Sequence, residues 1–360
     1  MSRDVYQIVE QIGLGCDGGT KPVRDIASIL RSEGVRTIPI RRFSSKNFLL
    51  QNIFRFWWVV QSFYYSTKFK RGSVVFLQFP GQFFTGQLGF CLVNERLIRR
   101  KKLKLVTIVH DLNSQRFQET WKSGSLSSLE QRLFAMSSRL IVHCDEMRKF
   151  LSARGVSAAK MVTLGVFDYL KDDESGIVPS EGQEVAIAGN LTTTMCAFLP
   201  KLKEISDVRW CLYGAGYDAK STAGDNVTYG GCFTAEELPN QVKARYGLAW
   251  YGDSIDEVTG PIGKYLAIIF VHKLSFYVTI GLPVIVWRRS AMAPFVERMG
   301  IGLVVDNLRE LGEKIRAVSA VDYAQMREKE MALAKTLREG RHMRNAYRHV
   351  IESLSIEHVL

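Results

Sequence analysis

A chain of 360 residues, 46% hydrophobic and 23% charged, is long enough for two domains of ordinary size and has a globular composition. That excludes disordered, collagen-like and disulfide-scaffold chains. The formal charge of +12 points to anionic partners, meaning nucleotides, nucleic acid or an anionic membrane surface, without choosing among them.

In chain order, strand and helix patterns alternate. Val5–Val9 reads as a strand, followed by a glycine-rich loop, a helix near Lys21–Glu33 and a strand at Thr37–Ile40. Val74–Phe79 is a buried-strand run, Leu88–Arg100 is helical, and Leu105–Val109 is a strand ending in His110-Asp111. A helix near Leu126–Ser137, strand Leu140–His143, helix Asp145–Ala153 and strand Met161–Leu164 follow. This order implies a parallel sheet covered by helices on both faces.

The composition then shifts. Asp168 to Gln183 is polar and acidic, with Gly and Pro, and reads as a linker, residues 168–183. Alternation restarts with strands at Val185–Ala188, Arg209–Tyr213, Val227–Tyr229, Leu248–Trp250, Val284–Trp287 and Leu303–Val305. The tail from Asp322 is helical. The expected architecture is α/β, with two doubly wound domains over residues 1–167 and 184–339. A C-terminal helix at about 340–360 packs back on the first.

Ligands of such sheets bind beyond the carboxyl ends of the strands. The segments to read closely are therefore Gly13–Thr20, His110-Asp111, Gly189-Asn190, Gly214–Gly216, Gly252-Asp253 and the stretch around Lys273. In that stretch His272-Lys273 interrupts an apolar run, Gly281 closes a helix-length segment, and Pro283 opens Val284–Trp287. Lys273 is thus expected in the first turn of a buried helix, where N–H groups and the helix dipole favour a phosphate. The alternative is a core helix whose lysine snorkels to solvent.

His110 and Asp111 follow a strand, and either could be an acceptor-hydroxyl base or a cap for the next segment. Gly189 lets a backbone approach a ligand and Asn190 can bond a substrate group, although a tight turn gives the same pattern. Tyr213, before Gly214, could bracket a base or be a core tyrosine. Gly13-Leu14-Gly15-Cys16-Asp17-Gly18 formally matches a dinucleotide fingerprint, but Arg41-Arg42 stands where a ribose-binding acid belongs; of the dinucleotide readings only an NADP type survives, and the alternative is a glycine-rich loop of any α/β enzyme, lining the cleft from the N-terminal side.

Leu49–Tyr65 is rich in aromatics, with Leu49, Ile53, Phe56, Trp57, Val60 and Tyr64 on one helical face and Phe54 and Trp58 widening it. Basic residues flank it. Three readings stand: a face buried in its own domain, an oligomer or substrate-protein contact, or a peripheral membrane contact through residues 49–65.

The six cysteines, Cys16, Cys91, Cys144, Cys196, Cys211 and Cys232, show no metal-site spacing. The N-terminus has no uninterrupted apolar region of the signal-peptide kind. The longest apolar runs are broken by His272-Lys273 and Gly281-Leu282-Pro283, short of the roughly 20 residues a spanning helix needs. A reduced cytoplasmic protein without a structural metal is expected, membrane-associated at the inner face if 49–65 is used that way.

The chain resembles the GT-B glycosyltransferases, specifically the bacterial Gtf-three-like glucosyltransferase and galactofuranosyltransferase group. The resemblance rests on Gly18-Gly19-Thr20-Lys21 with Asp25-Ile26, His110-Asp111, Ala188-Gly189-Asn190-Leu191, Tyr213-Gly214, and Gly247-Leu248-Ala249-Trp250 with Gly252-Asp253-Ser254. Gly263-Lys264-Tyr265, His272-Lys273-Leu274-Ser275 and Gly281–Trp287 complete it. It implies two Rossmann-like domains facing across a cleft and a UDP-sugar donor of the UDP-glucose or UDP-galactose type held by the C-terminal domain. The acceptor is a glycan or glycosylated protein of surface polysaccharide or glycoprotein biosynthesis. No metal or cofactor, no nucleic-acid partner and a homo-oligomer are implied.

Carried over by position, Lys273 contacts the diphosphate and Tyr213 lies by the nucleotide, with His272, Ser275, Gly189, Asn190, Gly214 and Asp253 completing the donor set. Gly18, Gly19 and Thr20 form the acceptor-side loop; Thr20, His110 and Asp111 are the catalytic candidates. Two positions depart from the family pattern. Thr193 stands where a basic residue is usual, and Ile269-Phe270-Val271 replaces an Asn-Asn-Pro-like run. These departures motivate a second hypothesis, a catalytically silent partner subunit that stabilises an active transferase.

Overall fold

The computed structural model describes residues 4–11, 18–41, 49–50, 53, 56–57, 60, 63–64, 67–80, 88–116, 126–171, 179–180 and 182–356. The chain divides into two compact units. The first comprises Met1–Gly13, Ile26–Leu164 and Met343–Leu360; the second comprises Leu14–Asp25 and Gly165–His342.

The first unit holds β1 (Val5–Gln11), β2 (Arg36–Arg41), β3 (Val74–Phe79), β4 (Lys104–Val109), β5 (Arg139–Val142) and β6 (Met161–Thr163). They form one parallel sheet in the order β2-β1-β3-β4-β5-β6. β3 and β4 pair from Val74↔Lys104 to Phe79↔Val109 and are buried along almost their whole length. Continuous apolar runs of this kind are what a sheet covered on both faces requires. α1 (Lys21–Ser32) belongs to this unit from Ile26 onward, and its further helices include α2 (Leu88–Lys101), α3 (Ser128–Met136) and α4 (Asp145–Ser152). α3 starts at a capping box: Ser127 Oγ accepts the Glu130 N–H and Glu130 Oε2 accepts the Ser127 N–H.

The last helix, Arg341–Ile356, buries Met343, Ala346, Val350 and Leu354. From Met343 onward it groups with the first unit. There Tyr347 sits 5.5 Å from Phe76, Arg139 donates to Ser353 Oγ, and Arg344 pairs with Glu33 at 2.6 Å.

The described residues of segment 49–68 are helical, and their apolar side chains face solvent. Phe56 is 71% exposed and Trp57 48%. The reading that buries this face in its own domain is therefore corrected; Phe54 and Trp58 lie outside the described residues. Periodicity shows which residues share a face, and not what covers it.

The second unit holds β7 (Glu184–Ala188), β8 (Arg209–Tyr213), β9 (Val227–Gly231), β10 (Tyr246–Ala249), β11 (Val284–Trp287) and β12 (Gly302–Val305), parallel in the order β12-β11-β10-β7-β8-β9. Numbered within the unit this is 3-2-1-4-5-6 read from the other edge, the doubly wound order whose ligand crevice lies where the strand order reverses. Here that is between β7 and β10. Helices α5 (His272–Ile280) and α6 (Ala320–Arg338) belong to this unit. α5 is buried from Lys273 to Ile280 and stops at Gly281, whose left-handed φ of 76° suits a residue without Cβ.

The expected linker begins too early. Asp168 and Tyr169 are buried: Asp168 Oδ1 accepts the His342 N–H, and the Tyr169 hydroxyl donates to Ala235 O at 2.9 Å. Asp168's charge disguised a docked segment as a solvated one. Residues 172–178 and 181 lie outside the described residues.

Candidate functional site

The crevice at the β7/β10 switch point is built by one tyrosine. β7 and β10 pair only at Tyr246↔Val185 and Gly247↔Ala186. Beyond that register the Tyr277 hydroxyl stands between them. It accepts the Ala188 N–H at 2.9 Å and lies 3.2 Å from both Ala186 O and Leu248 O. Its ring lies flat on Gly247, where any β-carbon would meet it at 2.2 Å. Burial pushes its pKa up to about 12, so it stays a neutral donor. Tyr277 thereby ties α5 to both strands and sets where Lys273, one helical turn earlier, must point.

Lys273 is 8% exposed. Its Nζ rests over the Tyr251 ring, 4.4 Å from the centroid, and has no hydrogen-bond partner among the described residues. The snorkelling alternative is thus corrected: the ammonium is held inside. Burial opposes its charge, and the groups packed around it, Tyr251, Cys196 and Tyr277, are neutral side chains rather than anions. A buried cation with no anion beside it costs several kcal/mol, roughly, which an anionic ligand would recover. Val271, the residue capping α5, offers no side-chain oxygen to its first turn. That end therefore also suits an anion.

Gly189 and Gly214 make room for this. Gly189 has φ 111° and Gly214 φ 140°, and a β-carbon on Gly214 would lie 1.7 Å from Gly189 O. Only two glycines allow the turns after β7 and β8 to touch, with Gly189 N donating to Tyr213 O at 2.8 Å.

The other expected donor residues divide. Ser275 is buried at the same helix start, with Oγ unpaired among the described residues. Asn190 is exposed but folded back, its Oδ1 accepting the Thr192 N–H and hydroxyl. Asp253 is exposed, and its carboxylate accepts the Thr259 hydroxyl. Tyr213 is buried, its hydroxyl accepting the Lys243 N–H and its ring against Gly230, so it is a core side chain. A different aromatic pair stands near that strand end. Tyr217 and Tyr229 stack with centroids 4.3 Å apart, and the Tyr229 hydroxyl donates to Gly214 O.

Gly18, Gly19 and Thr20 form a short turn leading into α1. This turn groups with the second unit through Lys21. Lys21 Nζ contacts both Asp25 oxygens (2.5 and 2.7 Å), donates to Leu170 O at 2.8 Å, and lies 4.7 Å from the centre of the Tyr169 ring. Tyr169 in turn stacks on His272, centroids 5.3 Å apart. A chain of contacts therefore runs from the glycine turn to the start of α5. Residues 13–17 of the dinucleotide-type motif lie outside the described residues.

In the first unit, His110 Nε2 and Gln78 Oε1 are 2.7 Å apart, and Asp111 pairs with Arg116 at 2.8 Å. His143 Nε2 bonds His110 O. The pair is half-buried just past β4 and braced by neighbours. Thr193 is exposed, whereas Ile269 and Phe270 are buried, Phe270 against Phe295 at 5.5 Å. Thr193 supplies a hydroxyl but no positive charge, and Ile269 and Phe270 supply no amide. No group of three or more His, Cys, Asp or Glu among the described residues is arranged to hold a metal.

Sequence reasoning missed Tyr251, Tyr277, Tyr169 and the Tyr217–Tyr229 stack. For Tyr251 a signal existed, since it directly follows the Gly247–Trp250 strand run. For the others nothing local distinguished them from core tyrosines.

Comparison with known proteins places both halves. The glucosyltransferase 3-like N-terminal domain matches residues 6–166 and the corresponding C-terminal domain residues 185–350. The chain is 32% identical over 260 residues to the beta-1,6-galactofuranosyltransferase WbbI of Escherichia coli (strain K12), spanning 71% of this chain and 74% of that protein. It is 24% identical over 242 residues to glucosyltransferase 3 of Streptococcus gordonii, spanning 66% and 67%. Its fold is similar to that of Anabaena HepE, crystallised in complex with UDP, with a TM-score of 0.62, 12% identity, and 98% and 99% of the two chains covered.

Proposed function

The chain belongs to the glucosyltransferase 3-like family, with the GT-B glycosyltransferase fold, and from that premise we propose that it transfers a hexosyl group from a UDP-sugar to a glycan or glycosylated-protein acceptor. The single observation that carries the donor site is Lys273, a buried cation without an anion beside it, at the start of α5 and at the switch point of its sheet. Gly189 and Gly214 let the diphosphate approach the backbone, and Ser275 offers a buried hydroxyl. In the reaction the acceptor hydroxyl attacks the anomeric carbon, and the bond from that carbon to the diphosphate oxygen breaks with its electron pair leaving on UDP. Lys273 and the α5 N-terminus stabilise that charge in place of a metal. His110 or Asp111 takes the proton of the acceptor hydroxyl.

Cytoplasmic placement fits the thiols of Cys196 and Cys211, which form no disulfide among the described residues. No helix among the described residues is long and apolar enough to cross a membrane.

The test is turnover of a UDP-hexose panel by the purified chain, with UDP binding measured by calorimetry for the parent and Lys273→Ala. The parent should bind UDP and hydrolyse or transfer from at least one UDP-hexose, and the variant should lose binding. Equal UDP affinity in the two proteins would refute the assignment of Lys273. The buried Ile269-Phe270 and uncharged Thr193 favour one competing reading, a silent partner subunit. It predicts no turnover with any UDP-hexose together with tight binding to a second transferase.

A further inference from the structure

His110 and Asp111 both follow β4, and what holds each of them sets them apart. Asp111 is committed to an ion pair with Arg116 at 2.8 Å. To take a proton, its carboxylate would give up that charge-assisted bond. His110 is held at three points. Its backbone N–H donates to Phe79 O at 2.6 Å, and its carbonyl accepts from Nε2 of the buried His143 at 2.8 Å. Its ring Nε2 meets Gln78 Oε1 at 2.7 Å.

Gln78 is out of character in its strand. The other five residues of Val74–Phe79 are apolar and buried. An amide placed among them needs a hydrogen-bond partner. The register supplies one. β3 and β4 are parallel, with Gln78 opposite Ile108. Register partners share a face of the sheet, and so do residues two apart along a strand. The bond from His110 N–H to Phe79 O carries the ladder one residue past β4. Gln78 and His110 therefore leave the sheet on the same face, close enough to bond.

That bond fixes the tautomer. Oε1 is a carbonyl oxygen and can only accept, so Nε2 carries the proton and the lone pair of the neutral ring is on Nδ1. A carbonyl accepts from imidazole and imidazolium alike, so Gln78 keeps its bond when the ring gains a proton.

We infer that Gln78 is a positioning residue for proton transfer: it holds His110 as the Nε2–H tautomer, and His110 rather than Asp111 takes the proton of the acceptor hydroxyl, on Nδ1. The inference rests on the hexosyl-transfer reading above. In the step, the hydroxyl O–H bond breaks and an N–H bond forms at Nδ1 while the oxygen joins the anomeric carbon. The bond from that carbon to the diphosphate oxygen breaks, and its electron pair leaves on UDP. Among the described residues, the titratable or charged neighbours of this pair are Asp111 and Arg116 on its own segment and His143 just after β5.

Two measurements on the full chain test this. Long-range proton–nitrogen NMR on isotopically labelled histidines reads the tautomer, with the His110 signals assigned by their loss in His110→Ala. The parent should show the Nε2–H form, and Gln78→Leu a mixture of both forms. The second measurement is turnover of a UDP-hexose. Gln78→Leu should lower kcat about tenfold, with UDP affinity unchanged by calorimetry. Gln78→Glu keeps the acceptor but sets a carboxylate against the ring. Its activity should persist, with the acidic limb of the kcat profile moved to higher pH. A side chain that merely packs would leave that limb in place. His110→Ala should lose about 100-fold in kcat, and Asp111→Asn distinctly less. An Nδ1–H tautomer in the parent overturns the positioning role. So does a parental kcat in Gln78→Leu, or an unmoved limb in Gln78→Glu. A loss in Asp111→Asn as large as in His110→Ala overturns the choice of base. A parent that turns over no UDP-hexose sinks the transfer reading and the base role with it, while the NMR spectrum still decides the tautomer.

Discussion

Gly189 and Lys273 touch: a β-carbon on Gly189 would stand 3.3 Å from Lys273 Cε. Gly189 also holds φ 111°, a conformation a β-carbon makes costly. Gly189→Ala should therefore lower stability by about 1–3 kcal/mol through backbone strain. It should also weaken UDP binding about tenfold by displacing the lysine, about 1.4 kcal/mol. Thermal melting and calorimetry on the same preparation separate the two effects.

Lys273→Met should behave in the opposite sense for stability. The thioether chain replaces a buried, unpaired ammonium with an apolar group of similar length, a change that is neutral or stabilising for the ligand-free protein. UDP affinity should nevertheless fall about 10- to 100-fold, as expected for a lost charge-assisted bond. A melting temperature many degrees lower would mean that Lys273 supports the fold rather than the ligand.

The Lys21–Asp25 pair is buried on both sides, and its neighbours Leu170 and Tyr169 lead to His272. Burial raises the Asp25 pKa and Lys21 opposes that rise. Asp25→Ala leaves Lys21 buried and unpaired, so it should cost about 3–5 kcal/mol in denaturant unfolding. Lys21→Met combined with Asp25→Leu should restore most of it, because no charge is then stranded.

Glu330 in α6 is fully buried, and both its oxygens lack hydrogen-bond partners among the described residues. Burial raises its pKa well above the ordinary carboxylate range, with Arg327 opposing. Between the unfolded and folded pKa the native state keeps a proton that the unfolded chain has released. Its stability contribution is therefore complete below the unfolded pKa and is lost as pH rises towards the folded one, by about 1.4 kcal/mol per pH unit. Glu330→Gln should flatten this slope. Its melting temperature should exceed the parent's at about pH 8 and converge with it at about pH 4. Parallel curves for the two proteins would contradict the buried, protonated state.

Much of the fold was legible because it is written locally. Val74–Phe79, Arg209–Tyr213 and Val284–Trp287 were read from the sequence with the ends they have in the structure, since buried parallel strands are unbroken apolar runs. The helix stop at Gly281 and the placing of Lys273 in a first turn followed from chain chemistry alone. Asp168 was misread for the same reason, because a charged residue inside a docked segment looks like linker.

By itself the sequence determined the two runs of alternating strands and helices, the glycines after β7 and β8, and the cation that starts α5. These depend on periodicity, turn chemistry and residue type within a few positions. Distant contacts set the rest: Tyr251 covers Lys273, Tyr277 rather than Tyr213 stands at the switch point, and Phe56 and Trp57 stay exposed. Burial is a property of what a residue meets, and those partners come from strands and helices far away in the chain. A hydrophobic stripe carries no record of whether anything covers it, and a lysine none of whether its charge reaches water.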